Sequence, residues 1–180
     1  YISNSDVGRY NDIVVDDNGV PHFVFYDATT TNLWYGSLDS QGYFFFEIVA
    51  DTEDSGSHCS IDIDPYGRLH VSYFFLPYED LNHMIRDGSG WHSIGETVDS
   101  SGRGKYASIA ADSSGYPHFS YADEYTDNLR YARQVDDYNW SSEAIDPNSG
   151  TATHSSIAID SYGWPHVSYY TNATNDLKYA

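Results

Sequence analysis

Aspartate, histidine and serine recur together in this chain at a spacing that could carry acid–base chemistry. Asp112, His118 and Ser120 form one set, Asp64, His70 and Ser72 a second, and Asp160, His166 and Ser168 a third. Asp16 and His22 begin a fourth, in which Val24 replaces the serine. Side chains two apart on a strand share a face, so each His and Ser would lie side by side with the Asp across a turn. An imidazole between a carboxylate and a hydroxyl is the arrangement of nucleophilic catalysis. An active site is needed once, however, and this set returns in three copies and, without its serine, in the fourth. The pattern therefore predicts a structural hydrogen-bonded network that ties neighbouring strands.

Residues that break the repeat are better functional candidates. Tyr78, Glu79, Asp80, Asp123, Glu124 and Tyr125 combine flat aromatic faces with carboxylate acceptors, a mixture suited to sugar rings. Arg103 and Lys105 are the basic pair near them, expected to form salt bridges with the surrounding carboxylates. Asn139-Trp-Ser and Asn172-Ala-Thr fit the N-glycosylation acceptor pattern. No metal or other cofactor is expected. Asp16-Asp17-Asn18-Gly19 resembles a piece of a calcium loop but lacks its spacing and terminal Glu, and no Cys or His pair has zinc-ligand spacing. Cys59 aligns with Ala107 and Ser155, which predicts a buried, inert thiol.

The elements that hold these residues follow from one period. Gly19, Gly67, Gly115 and Gly163 stand 48 residues apart, as do the four Asp, the four His, and Leu33, Leu81, Leu129 and Leu177. Tyr10, His58, Tyr106 and His154 mark an aromatic or imidazole position six residues before each Asp. Within a copy, short apolar runs alternate with turn residues and no helical period is sustained. Asp-x-x-Gly-x-Pro reads as a tight hairpin, because Asp accepts from backbone two residues on and Gly supplies a positive φ. Four short antiparallel strands repeated at this period predict an all-β fold, a β-propeller of four blades at about 8–55, 56–103, 104–151 and 152–180. Loops after the second and fourth strands should share one face, and there the copies differ most.

The run Ser156 to Tyr170, Ser-Ile-Ala-Ile-Asp-Ser-Tyr-Gly-Trp-Pro-His-Val-Ser-Tyr-Tyr, followed by Asp176-Leu-Lys-Tyr-Ala, resembles repeats of secreted bacterial and archaeal β-propellers of the sialidase-like type. The resemblance spans all four copies and implies an extracellular or cell-surface protein. The turn is not a true Asp-box, Ser-x-Asp-x-Gly-x-Thr-Trp, so sialidase activity is not carried over with it. Arg9, Arg68, Arg86, Arg103, Arg130 and Arg133 also occupy no common blade position that would gather them on a substrate carboxylate.

Charge narrows the partners. Eight Lys+Arg against 27 Asp+Glu give a formal charge of −19, which repels nucleic acid and anionic lipid surfaces, and no run is apolar enough for a spanning helix. Tyr1 to Gly8 hold no basic stretch followed by an apolar one. The fourth copy reaches only its third strand at Ala180. Either Tyr1 to Asp6 supplies a stunted closing strand, or the blade edge pairs with another chain or with the rest of a larger propeller. The leading expectation for function is a non-catalytic extracellular binding or adhesion module with a glycan or protein ligand. A structural spacer and a sialidase-like glycoside hydrolase are the alternatives.

Overall fold

The computed structural model describes residues 6–180 apart from 53, 94–96, 101–102, 138, 148–149 and 151. The protein is an all-β, four-bladed β-propeller. Blade 1 contains β1 (Val7–Val15), β2 (Pro21–Asp27), β3 (Asn32–Leu38) and β4 (Phe44–Ala50). Blade 2 contains β5 (Ser55–Ile63), β6 (Leu69–Phe75) and β7 (Asp80–Asp87), with β8 (Gly90–His92) and β9 (Thr97–Asp99) both paired to β7. Blade 3 holds β10 (Arg103–Ala111), β11 (Pro117–Asp123), β12 (Asn128–Asp136) and β13 (Asn139–Asp146), and blade 4 holds β14 (Ala152–Ile159), β15 (Pro165–Thr171) and β16 (Asp176–Tyr179). Every pairing is antiparallel. Of the stretch Tyr1–Asp6, only Asp6 lies within the described residues, and its carbonyl accepts the Ala28 amide at 2.9 Å.

Each β-hairpin closes in the way its residues dictate. The Asp112 carbonyl accepts the Gly115 amide at 2.9 Å, and its Oδ1 accepts the amides of Ser114 and Tyr116. Gly115 takes φ +82°, a region costly for residues with a Cβ. Pro21, Pro117 and Pro165 each open a second strand, where a missing N–H does least damage.

Blades pack in series. The buried face of blade 1, Val24, Leu33, Tyr35 and Val49, meets Cys59, Ile61, Leu69, Val71 and Tyr73 of blade 2. Leu81 and Val98 of blade 2 meet Ile109, Phe119 and Tyr121 of blade 3, and Leu129 and Tyr131 of blade 3 meet Ile157, Val167 and Tyr169 of blade 4. The inner strands β1, β5, β10 and β14 lie next to one another and are stitched by side chains. Asp12 Oδ2 accepts from Ser60 Oγ and the Ile61 amide, Ser60 Oγ accepts the Ile109 amide, and Ser108 Oγ accepts the Ile157 amide. Among the described residues no comparable packing joins β14 to β1.

Candidate functional site

The two faces of the propeller carry different chemistry. The hairpin face holds the larger hollow, about 890 Å³, around Asp16, Asp64, Asp112 and Asp160. Its carboxylates are already committed. Asp112 Oδ2 meets His118 Nε2 at 3.4 Å, while His118 Nδ1 meets the Tyr131 hydroxyl at 2.5 Å. His22 with Tyr35 and His166 with Tyr179 repeat this arrangement, their Nε2 atoms lying 3.7 and 3.5 Å from Asp16 and Asp160. In blade 2 His83 takes the tyrosine's place: its Nε2 lies 3.0 Å from His70 Nδ1, and His70 Nε2 lies 3.3 Å from Asp64. A neutral His118 with its proton on Nε2 satisfies both neighbours, the phenol donating to Nδ1.

The third member of each network is therefore a tyrosine or histidine, and serine takes no part. Ser120 lies opposite Tyr131 in the ladder, and the long phenol reaches back to His118 where the short serine cannot. Ser120 Oγ instead donates to Ser155 Oγ, the buried Ser72 Oγ has no partner among the described residues, and Ser168 is exposed. Burial pushes the His118 and His83 imidazoles below their usual range. At Asp64 burial alone would raise the carboxyl, and hydrogen bonds from His70 and Arg68 together outweigh it and hold it low.

On the loop face the turns after β2, β6, β11 and β15 share one backbone. Thr31, Glu79, Asp127 and Asn175 all take φ between +54° and +58°. The copies thus differ here in side chains and not in loop length. Asp27 and Asp123 cap this turn from the same position, Asp123 Oδ1 accepting the amides of Tyr125 and Thr126. Asp123 is fully buried, and its Oδ2 receives Arg103 Nε at 2.8 Å. Arg103 also holds Asp99 at 3.0 Å, and Asp99 in turn accepts Arg130 and the Tyr121 hydroxyl. Asp80 is buried at the start of β7, where the other copies have Asn32, Asn128 and Asp176. Both aspartates keep scaffold positions, a signal present in the 48-residue alignment of the copies.

The remaining candidates other than Tyr78 come together. Glu79, Glu124 and Tyr125 line one hollow of about 150 Å³ between blades 2 and 3, closed on one side by Phe74. Lys105 Nζ donates to Glu124 at 2.6 Å and lies 5.4 Å from the Phe74 ring centre. Tyr125 is 84% exposed; Tyr78, also exposed, packs edge-on against Phe75 outside the hollow. Of the two sequons, Asn172 is exposed in its loop, while Asn139 opens β13 with its amide on Asp136.

A second feature lies beside this hollow. Tyr10, His58, Tyr106 and His154 sit at bulges of the inner strands with φ between +51° and +55°, unusual for residues with a Cβ. Their rings follow one another at 4.3, 4.6 and 5.1 Å between centres, and His58 lies 6.3 Å from Phe74. Burial, then Lys105, pushes His58 down to about 4, so its imidazole is neutral at pH 7. The period marks this position, but only the bulge turns the four side chains into one row. Among the described residues no three His, Cys, Asp or Glu side chains gather as metal ligands.

No protein-family model and no curated protein matches this sequence. Solved structures do share its fold. An α-L-arabinofuranosidase from Clostridium thermocellum aligns over 91% of this chain and 61% of its own, with TM-score 0.53 and 15% identity. A fucose lectin from Kordia zhangzhouensis, in complex with methyl-fucoside, aligns over 76% of this chain and 99% of its own, with TM-score 0.53 and 16% identity. A leech intramolecular trans-sialidase complexed with 2,7-anhydro-Neu5Ac aligns over 92% of this chain and 30% of its own, with TM-score 0.54 and 14% identity. The chain spans less than two thirds of both enzymes' length.

Proposed function

We propose that this propeller is a carbohydrate-binding module of the cell exterior or cell surface, acting in adhesion without turning its ligand over. One observation carries the reading: the exposed ring of Tyr125 and the acceptors Glu79 and Glu124 gather in one hollow over buried Phe74, on the face where the blades differ. Stacking of a sugar's apolar face with hydrogen bonds from its hydroxyls to carboxylates is the chemistry such a hollow offers. The carbohydrate-active neighbours support the same class of ligand. Such contacts are individually weak, giving roughly micromolar to millimolar affinity per site, so several sites acting together would provide useful binding.

Two carboxylates in one hollow also favour a second reading, a glycoside hydrolase, since that chemistry uses a carboxyl pair. A glycan array combined with a glycosidase and sialidase panel separates the readings. Binding without turnover supports the module and turnover the hydrolase. Silence in both leaves a structural spacer or a protein ligand.

A further inference from the structure

The hollow between blades 2 and 3 already holds a cation of the chain itself. Lys105 Nζ donates to Glu124 at 2.6 Å and lies 5.4 Å from the centre of the buried Phe74 ring, so a carboxylate and an aromatic face share the ammonium. The hydrogen bond to Glu124, with the charges of Glu124 and Glu79 adding to it, keeps the Lys105 ammonium above its usual range despite desolvation. The field in this hollow favours positive charge.

Glu79 and Tyr125 bring the same two chemistries to the same hollow. Both are exposed, and among the described residues the Glu79 carboxylate has no salt bridge and no hydrogen bond. Glu79 and Glu124 against Lys105 leave an excess of one negative charge, in a chain whose formal charge is −19. The combination is confined to this junction. Leu76 and Ser57 replace Glu124 and Lys105 between blades 1 and 2, and Asn172 and Thr153 replace them between blades 3 and 4.

We propose that this hollow selects sugars bearing a free amine over neutral and acidic ones, with the ring on Tyr125 and the ammonium on Glu79. The proposal rests on the carbohydrate-binding reading above and adds the charge of the ligand. An ammonium donates a charge-assisted hydrogen bond to Glu79, stronger than the one a hydroxyl gives. An acetyl group on the nitrogen removes that charge, as it does on lysine. A sugar carboxylate or sulfate would face two carboxylates and the field of the whole acidic chain.

Three β-1,4-linked trimers test the charge, because they differ only in the group on one carbon of each ring: the glucosamine trimer carries an ammonium there, its N-acetylated form an acetamide, and cellotriose a hydroxyl. Calorimetry at about pH 5.5, where an amine is protonated and a glutamate ionised, should show the glucosamine trimer binding at least about threefold more tightly than either neutral trimer at low salt. The preference should shrink toward one at about 0.5 M salt. Glu79→Gln should lower it toward one as well, and Lys105→Met, which leaves Glu124 without its cation, should raise it; melting curves check that both variants fold. Equal or tighter binding of a neutral trimer overturns the charge preference and leaves the carbohydrate module standing. A preference that survives Glu79→Gln or high salt does the same. Silence of all three trimers on a protein that binds other glycans of the array also overturns it, and silence across the array removes both readings. Nα-acetyl-lysine amide binding as tightly as the glucosamine trimer would show that the amine alone is read, and overturns the sugar.

Discussion

The hairpin face and the loop face repeat their backbones equally well, yet only the hairpin face repeats its side chains. Asp16, Asp64, Asp112 and Asp160 each close a turn and meet a histidine, so the backbone depends on them. On the loop face the same dependence is confined to the cap, Asp27, Asp123 or Thr171, while among the described residues the side chains of Glu79, Glu124 and Tyr125 accept from no neighbouring amide. Repetition of side chains marks what the fold requires, and variation on a repeated backbone marks what it leaves free for recognition.

The sharpest way to break this comparison is Asp64→Ala. The Asp64 carboxylate is fully buried, caps two amides, and pairs with Arg68 and with buried His70. Its loss strands a buried imidazole and should lower stability by about 3–5 kcal/mol in urea unfolding. Asp160→Ala, at the most exposed of the four sites, should cost clearly less.

Acid should weaken the fold next most. Burial depresses His22, His58, His83 and His118 below 6.5 in the folded state, so the unfolded chain binds more protons as pH falls. Their contribution is complete above about pH 6.5 and is lost as pH falls toward the folded values, His58 alone accounting for about 3 kcal/mol by pH 4. The lowered carboxyls, among them Asp64 and Asp112, add a further loss below pH 4. Thermal unfolding at pH 7 and pH 4.5 measures the first window. His58→Tyr, matching Tyr10 and Tyr106, should shrink it.

A smaller effect is expected for His118→Ala, about 1–3 kcal/mol, because the partners left behind are a phenol and a partly exposed carboxylate. Glycan binding should be unchanged. Lost binding at unaltered melting temperature would show that the hairpin face recognises ligand after all.

Much of this was legible in the sequence because one period fixed turn, register and blade together. Gly and Asp at 48-residue steps state where each hairpin lies, and the copies align without gaps through their first three strands. What stayed hidden was contact across the blade. The ladder sets Tyr131 opposite Ser120, but that its hydroxyl ends on His118 depends on side-chain length and tilt. Asp80 and Asp123 read as loop acids, although the period already matched Asp80 to Asn32, Asn128 and Asp176 and matched Asp123 to Asp27. Lys105 pairs with Glu124 within blade 3, from β10 to the turn after the adjacent β11, as its charge led one to expect. The gathering of Tyr125 of blade 3 with Glu79 and Phe74 of blade 2 joins separate blades through their packing angle, which no local pattern encodes.

The last substitution is small in stability and large in function. Tyr125 is 84% exposed and among the described residues only its backbone amide is held, by Asp123, so Tyr125→Ala leaves the turn and its cap in place. The melting curve should move by no more than about 0.5 kcal/mol. If the hollow stacks a sugar ring against Tyr125, removing that face forfeits an aromatic contact worth about 1 kcal/mol or more beyond buried area, at least about fivefold in affinity. Glu79→Gln then reports on the acceptor side, since it keeps the shape of the hollow and removes one charge. Calorimetry with a glycan selected on the array gives both numbers. A Tyr125→Ala protein that binds as tightly as the wild type moves recognition away from this hollow, to the row of Tyr10, His58, Tyr106 and His154, where Tyr10→Ala becomes the deciding variant.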